Sequence, residues 1–140
     1  MIPEKPRRKP YLLQFEQTGD ADGGFLVSTQ RAASIPFEVR RVFWTYGTPP
    51  EKQRGGHANF ETEEVMVAVQ GQVEVKTETL AGEQKTFVLN NAAEGLVIPA
   101  YCWLSIKFEP ETILVCLAST DYDENKYIRD LTAFRNLRTV

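Results

Sequence analysis

Residues 54–71 read RGGHANFETEEVMVAVQG, a stretch that joins a glycine pair, a histidine and an alternating apolar run. His57 is the single histidine in the 140 residues. The run at 62–69 alternates with the period of two that is typical of a β-strand. Gly71 predicts a turn into a second strand at 72–78, so we expect these two strands to pair as a hairpin.

Short apolar runs separated by Gly and Pro turns continue on both sides of this stretch. Residues 47–56 contain Pro49, Pro50 and several glycines, and we expect a loop there. Further strands are predicted at 11–16, 25–29, 37–46, 85–89, 95–99, 102–108 and 112–118. Short strands at such regular spacing indicate an all-β protein, an antiparallel sandwich or barrel.

The C-terminal segment differs from the rest of the chain. Asp123 or Glu124 is a suitable N-cap, and the residues that follow predict a helix to about Leu137. Its apolar face has spacings of three and four and consists of Tyr127, Ile128, Leu131, Phe134 and Leu137.

The length predicts one domain, at residues 11–140, preceded by a basic, Pro-rich arm at residues 1–10. Alternating Lys or Arg with Pro is typical of a solvated, extended arm, and phosphate binding is the alternative interpretation. The net charge of −3 argues against nucleic acid or a membrane surface as partner. We expect a cytoplasmic protein, because Cys102 and Cys116 lie in apolar runs without a CxxC spacing and resemble buried free thiols.

The predicted strand at 37–46 carries large apolar groups on both faces. Arg41 and Phe43 share one face, whereas Trp44 and Tyr46 lie on the other. A strand of this kind is buried on both faces, and we expect a partner chain or the N-terminal arm to cover one of them. We therefore expect a homodimer.

His57 is the candidate for chemistry, because an imidazole exchanges protons near neutral pH. A carboxylate at Glu64, Asp121 or Asp123 is expected to orient it. Asn59 points the same way as His57 if the strand is extended, and it could donate to an oxyanion. The alternative is a structural histidine beside a plain glycine turn. A single histidine makes a His-rich metal site impossible within one subunit, so we expect no metal.

Two arginines are candidates for anion binding. Arg41 shares its face with Phe43, and an inward arginine requires a partner. That partner is either a carboxylate or the phosphate of a ligand, which arginine matches in geometry. Arg54, beside the glycines, is the second candidate.

Four segments resemble the sugar-nucleotide 3,4-ketoisomerases, the small WxcM-like cupins that act on dTDP-4-keto-6-deoxyglucose. These segments are Ile35–Val42, Arg54–Ala58, Val65–Gly71 and Leu117–Asp130, whose sequence is LASTDYDENKYIRD. The likeness spans about residues 11–136. It implies an RmlC-like jelly-roll barrel and a dimer with exchanged N-terminal strands, with neither metal nor redox cofactor.

The resemblance also implies a reaction and a set of site residues. A histidine removes the C3 proton of a 4-keto sugar, an enediol forms, and the proton returns at C4. His57 would be the base, with Asn59 or Glu64 as an auxiliary group. The substrate-binding residues would be Arg41 and Arg54 at the diphosphate, with Phe43 and Trp103 in the pocket.

This chain departs from the family pattern at several polar positions. The family usually has a second histidine where this chain has Asn59, and a glutamine where it has Glu64. Phe43 replaces a common tyrosine, and Trp103-Leu104 replaces a Trp-His pair. A cupin that binds a sugar nucleotide or a related ligand without turnover is therefore the second hypothesis.

Overall fold

Two five-stranded antiparallel sheets face each other in the computed structural model, which describes residues 8–30 and 34–139. The strands are β1 Tyr11–Gln14, β2 Glu16–Asp20, β3 Gly24–Ser28, β4 Arg41–Tyr46, β5 Arg54–Asn59, β6 Glu64–Gln70, β7 Val73–Thr79, β8 Gln84–Leu89, β9 Glu94–Ile98, β10 Cys102–Phe108, β11 Ile113–Ala118 and β12 Tyr127–Ile128. The first sheet has the order β1-β9-β6-β11-β4 and the second has the order β12-β5-β10-β7-β8, while β2 and β3 form a separate hairpin. A short helix, α1 Leu131–Asn136, follows. The predicted all-β jelly-roll barrel with a short C-terminal helix is confirmed.

The alternation of β6 explains why its two faces are both apolar. Met66 and Ala68 point into the main core between the sheets. Val65 and Val67 point outward into a second cluster, which includes Phe15. Both faces are therefore buried, as is usual for an apolar strand inside a layered fold.

The predicted hairpin around Gly71 is wrong. β6 pairs with β9 and β11, whereas β7 pairs with β8 and β10, so the turn carries the chain from one sheet to the other. Gly71 has a φ of +78°, and a Cβ there would lie 2.4 Å from Oγ1 of Thr112. The turn was recognisable from the sequence, but the pairing depends on strands distant in the chain.

The predicted helix at 123–137 is broken into three pieces. A 3₁₀ turn at Glu124–Lys126 leads into β12, where Ile128 pairs with Ala58. The α-helix begins only after Asp130, whose carboxylate caps it by accepting from the backbone of Ala133. The free edge of β5 recruits the segment as a strand, and this tertiary pairing overrides the helical period.

Two predicted strand boundaries are also wrong, on either side of the first loop. β4 begins at Arg41 instead of residue 37, because residues 34–37 bend while Phe37 packs on the outer cluster. The predicted loop at 47–56 ends at residue 53, because Arg54 already pairs with β10. The outer face of β4 is open in the single chain, where Trp44 is 62% and Tyr46 72% exposed.

Residues 1–7 of the predicted N-terminal arm lie outside the described residues. The remainder is tied to the barrel by salt bridges from Arg8 to Glu63 and from Lys9 to Glu83. Cys102 and Cys116 are buried and unpaired, as expected. In the described part of the chain, no helix is long and apolar enough to cross a membrane.

Candidate active site

β5 places His57 on the inner wall of the barrel, and the strand contains a β-bulge just before this residue. His57 pairs with Leu104 and Gly55 with Ser105, so Gly56 is the extra residue. Gly55 and Gly56 have φ values of +80° and +70°, which glycine adopts without strain. A Cβ on Gly55 would lie 2.8 Å from Cδ1 of Leu104. The glycine pair thus both bends the strand and lets it press against β10.

A cavity of about 110 Å³ opens between the two sheets beside His57. Its wall is largely apolar, with a few convergent polar groups, the usual composition of a small-ligand site. The lining residues are Phe43, Thr45, Arg54, Gly55, His57, Glu64, Met66, Leu104, Ile106, Phe108, Leu114 and Cys116.

His57 is held as a neutral imidazole. Burial lowers its pKa below the ordinary 6.5, and the charge of Arg129 acts in the same direction, while the backbone of Gly55 and the charge of Glu124 oppose them. Its ring meets the ring of Tyr127 edge to face, with the centroids 4.9 Å apart. Nδ1 is buried without a hydrogen-bond partner among the described residues. The ring is thus fixed by packing and free to accept a proton at neutral pH.

A buried polar network lies next to the histidine. Asn59 donates from Nδ2 to Oε1 of Glu64 at 3.1 Å, and Cys116 donates from Sγ to Oε2 at 3.2 Å. Burial raises the pKa of Glu64 above its ordinary value, against the hydrogen bond from Cys116 and the charge of Arg41. Burial also raises the pKa of Cys116, so this thiol is a donor and not a thiolate nucleophile.

Arg41 lies close to two aromatic rings, one of which belongs to the cavity-lining Phe43. Its guanidinium carbon lies 5.1 Å from the ring centre of Phe43 and 5.6 Å from that of Tyr122. Nη2 donates to Oη of Tyr127 at 3.4 Å, and Nε is buried without a partner in the described residues. The arginine therefore retains donor capacity for an anionic ligand.

A second charged cluster surrounds Tyr127, whose ring contacts His57. Arg129 donates to Glu124 from Nε at 2.5 Å, and Tyr122 donates to the same carboxylate at 2.6 Å. The guanidinium of Arg129 also lies 4.7 Å from the ring centre of Tyr127. These contacts hold Tyr127 against His57.

Most of the residues predicted from the sequence come together at this cavity. His57, Glu64, Phe43 and Arg54 line it. Asn59 and Arg41 do not line the cavity, but Asn59 is hydrogen-bonded to Glu64 and Arg41 contacts Phe43.

Trp103 does not line the cavity. Leu104 points inward, so its neighbour Trp103 points to the outer face of β10 and packs on Phe134, with ring centres 6.0 Å apart. Asp123, one of three carboxylates considered as the group that orients His57, instead caps the 3₁₀ turn. The carboxylate whose charge acts on His57 is Glu124.

The sequence interpretation missed Tyr122, Glu124, Tyr127 and Arg129 as site residues. All four lie in the segment 117–130 that carried the resemblance. The helical spacing placed Glu124, Tyr127 and Arg129 on a predicted helix, and Tyr122 precedes that helix. In the described part of the chain, no group of three or more His, Cys, Asp or Glu side chains is arranged to hold a metal.

The family model for FdtA, described as WxcM-like, C-terminal, matches residues 8–139. This chain belongs to that family. A curated WxcM-like relative, the TDP-4-oxo-6-deoxy-alpha-D-glucose-3,4-oxoisomerase of Aneurinibacillus thermoaerophilus, is 30% identical over 125 residues, covering 89% of this chain and 88% of the relative.

Solved structures extend the likeness of this WxcM-like chain. A 3,4-ketoisomerase from Helicobacter canadensis is 32% identical with a TM-score of 0.87, over 94% of this chain and 98% of the other. QdtA, a sugar 3,4-ketoisomerase from Thermoanaerobacterium thermosaccharolyticum in complex with TDP, is 27% identical with a TM-score of 0.87, over 93% and 94%. A dTDP-4-dehydrorhamnose 3,5-epimerase from Bacillus anthracis, 16% identical with a TM-score of 0.73 over 84% and 76%, shares the RmlC-like fold alone.

Proposed function

We propose that this chain is a 3,4-ketoisomerase of a TDP-linked 4-keto-6-deoxyhexose, with His57 as the base. The observation that carries the proposal is an imidazole whose pKa is lowered by burial and which lines a small cavity together with Glu64 and Arg54. Relatives named 3,4-ketoisomerases, matched over most of the chain, support the reaction class.

The proposed reaction moves one carbon-bound proton between neighbouring atoms. His57 removes the proton at C3, next to the C4 carbonyl, and an enediol forms. The imidazolium then returns a proton to C4, which leaves the carbonyl at C3. Because the imidazole pKa is lowered, its neutral form is available at working pH. No metal or redox cofactor takes part, and Asn59 or Glu64 assists.

The nucleotide is proposed to bind over the mouth. A cavity of about 110 Å³ is small beside the ~300–1,000 Å³ usual for whole ligands, so it suits the sugar ring and leaves the diphosphate outside. Arg41 and Arg54 would bind the diphosphate, with Phe43 beneath Arg41.

We further propose a homodimer in the cytoplasm. Val42, Trp44 and Tyr46 form an exposed apolar outer face on β4 at the edge of the first sheet. Such a face is suited to burial against a second copy. The two free cysteines favour a reducing compartment.

Binding without turnover is the second candidate function, favoured by Asn59, which cannot exchange protons near neutral pH. The test compares the rates of wild type, His57→Asn and Asn59→His on TDP-4-keto-6-deoxyglucose. We expect wild-type turnover, a loss of ~10²–10⁴-fold in His57→Asn, and a modest change in Asn59→His. An inert wild type that Asn59→His activates more than about a hundredfold would show that the base belongs at position 59, and would favour binding without turnover.

A further inference from the structure

We propose that Glu64 is the second catalytic residue, which moves the oxygen-bound protons of the isomerisation while His57 moves the carbon-bound proton. This proposal rests on the proposed function and deepens it, because a 4-keto to 3-keto conversion shifts both a C–H and an O–H proton. His57 accounts only for the transfer of the C–H proton.

The position of Glu64 places its carboxyl group at the reacting centre. It stands at the start of β6 and points into the cavity that His57 lines from β5. The residue is only 2% exposed, so bulk water does not compete for its proton. A ligand in this cavity would lie between the imidazole and the carboxyl group.

The surroundings of Glu64 favour the uncharged acid. Each oxygen accepts one bond from a neutral donor, Asn59 at Oε1 and Cys116 at Oε2. From β9 it faces Ile98, its backbone partner, which brings no charge. Two arginines are close to it: Arg54 of β5, which lines the same cavity, and Arg41 of β4, whose charge acts on Glu64. Among the described residues, Arg41 donates to Tyr127 and neither arginine forms a salt bridge with Glu64. A carboxylate buried with so few partners is costly, and burial accordingly raises the pKa of this group.

The proton balance of the two-residue mechanism closes. Glu64 gives its proton to the C4 carbonyl oxygen as His57 takes the C3 proton, which produces the enediol. The Glu64 carboxylate then takes the proton of the C3 hydroxyl as the His57 imidazolium protonates C4. Both residues end in their starting states, and the product is the 3-keto sugar.

Asn59 fits this scheme as the positioning residue for Glu64. Its NH2 group donates to Glu64 when Glu64 is a carboxylate. After a half turn of the amide, its oxygen accepts from Glu64 when Glu64 is protonated. Its Oδ1 is buried without a partner in the described part of the chain, so it is available for the second arrangement. Glu64 engages one of the two hydrogens of Nδ2.

Glu64→Gln tests the proposal, since it keeps the shape and removes the proton. Glu61→Gln is the matched control, on an exposed residue that pairs with Lys126. We expect Glu64→Gln to lower kcat by ~100-fold or more on TDP-4-keto-6-deoxyglucose while KM and TDP affinity change little. The decline of activity on the basic side of the wild-type pH profile should disappear. The control should match the wild type.

A double variant, Glu64→Gln with Asn59→His, is the third protein to compare. The two positions are within hydrogen-bond distance, so the double variant returns a proton-transfer group to the same place, and we expect it to exceed Glu64→Gln by ~10-fold or more. A Glu64→Gln enzyme with wild-type kcat and pH profile overturns the role of Glu64 and leaves the proposed function standing. A wild type without turnover overturns both. If Glu64→Gln does not fold, the pH profile of the wild-type activity decides. A profile without a loss of activity at basic pH overturns the role of Glu64, and a profile with that loss supports it.

Discussion

Replacing the two glycines of the β5 bulge by alanine should have clearly different effects, although both have a positive φ. An alanine at such a φ costs about 1–2 kcal/mol. At Gly56 a Cβ meets nothing within 4 Å, so Gly56→Ala should cost about 1 kcal/mol. At Gly55 it would lie 2.8 Å from Cδ1 and 3.0 Å from the carbonyl oxygen of Leu104. Overpacking adds ~1–3 kcal/mol, so Gly55→Ala should cost about 3–4 kcal/mol.

Thermal unfolding of the two variants measures this difference. For a domain of this size 1 kcal/mol corresponds to about 3–5 °C, so we expect a fall in Tm of about 3–5 °C for Gly56→Ala and about 10–15 °C for Gly55→Ala. Denaturant titration should give the same order of free energies of unfolding. Because Gly55 sets the backbone two residues before His57, Gly55→Ala should also lower kcat. Equal shifts in Tm, or a larger shift for Gly56→Ala, would refute the assignment of the tight contact to Gly55.

Three further predictions concern pH, the C-terminal segment and assembly. The acid limb of kcat/KM should titrate below pH 6.5, because burial lowers the pKa of His57; a limb above that value would contradict a buried neutral base. Glu78 has its pKa lowered to about 2 by hydrogen bonds from Arg135 and Arg138, so its stabilisation should be present above pH 4.5 and be lost as pH falls towards 2. Glu78→Gln should therefore lower the free energy of unfolding by about 1–3 kcal/mol at pH 7 and reduce the fall in Tm between pH 5 and 3. Glu74→Gln, at a half-exposed site, should have neither effect. Trp44→Glu should convert the proposed dimer into a monomer by light scattering, and a wild type with the mass of one chain would contradict the dimer.

Strand periodicity predicted the core better than it predicted the pairing. The strand predicted at 72–78 is present as β7, and its alternate residues Val73 and Val75 are fully buried. Periodicity could not show that β6 and β7 enter different sheets, since a glycine turn serves a hairpin and a crossover equally. Pairing is decided by strands far apart in the chain, such as β6 with β11.

The candidate site was predictable where a residue's own strand fixed its direction. Strand parity correctly associated Arg41 with Phe43. Asn59, predicted on the same face as His57, is hydrogen-bonded to Glu64 of the cavity wall. Trp103 was misplaced because the resemblance suggested a pocket residue. Leu104 points into the cavity, and neighbouring residues of a strand point in opposite directions, so Trp103 lies on the outer face. Glu124, Tyr127 and Arg129 were missed because the spacing of residues 123–137 is helical, and only contact with the edge of β5 makes part of that segment a strand.

Proton exchange on TDP-4-keto-6-deoxyglucose in deuterated water tests the central claim most directly. NMR of the sugars after incubation with the wild type should show conversion to the 3-keto isomer, with deuterium at C3 of the recovered 4-keto substrate and at C4 of the 3-keto product. The His57→Asn protein should bind TDP but leave those positions protonated. Binding of the nucleotide sugar by the wild type without any deuterium gain would contradict an isomerase whose base is His57.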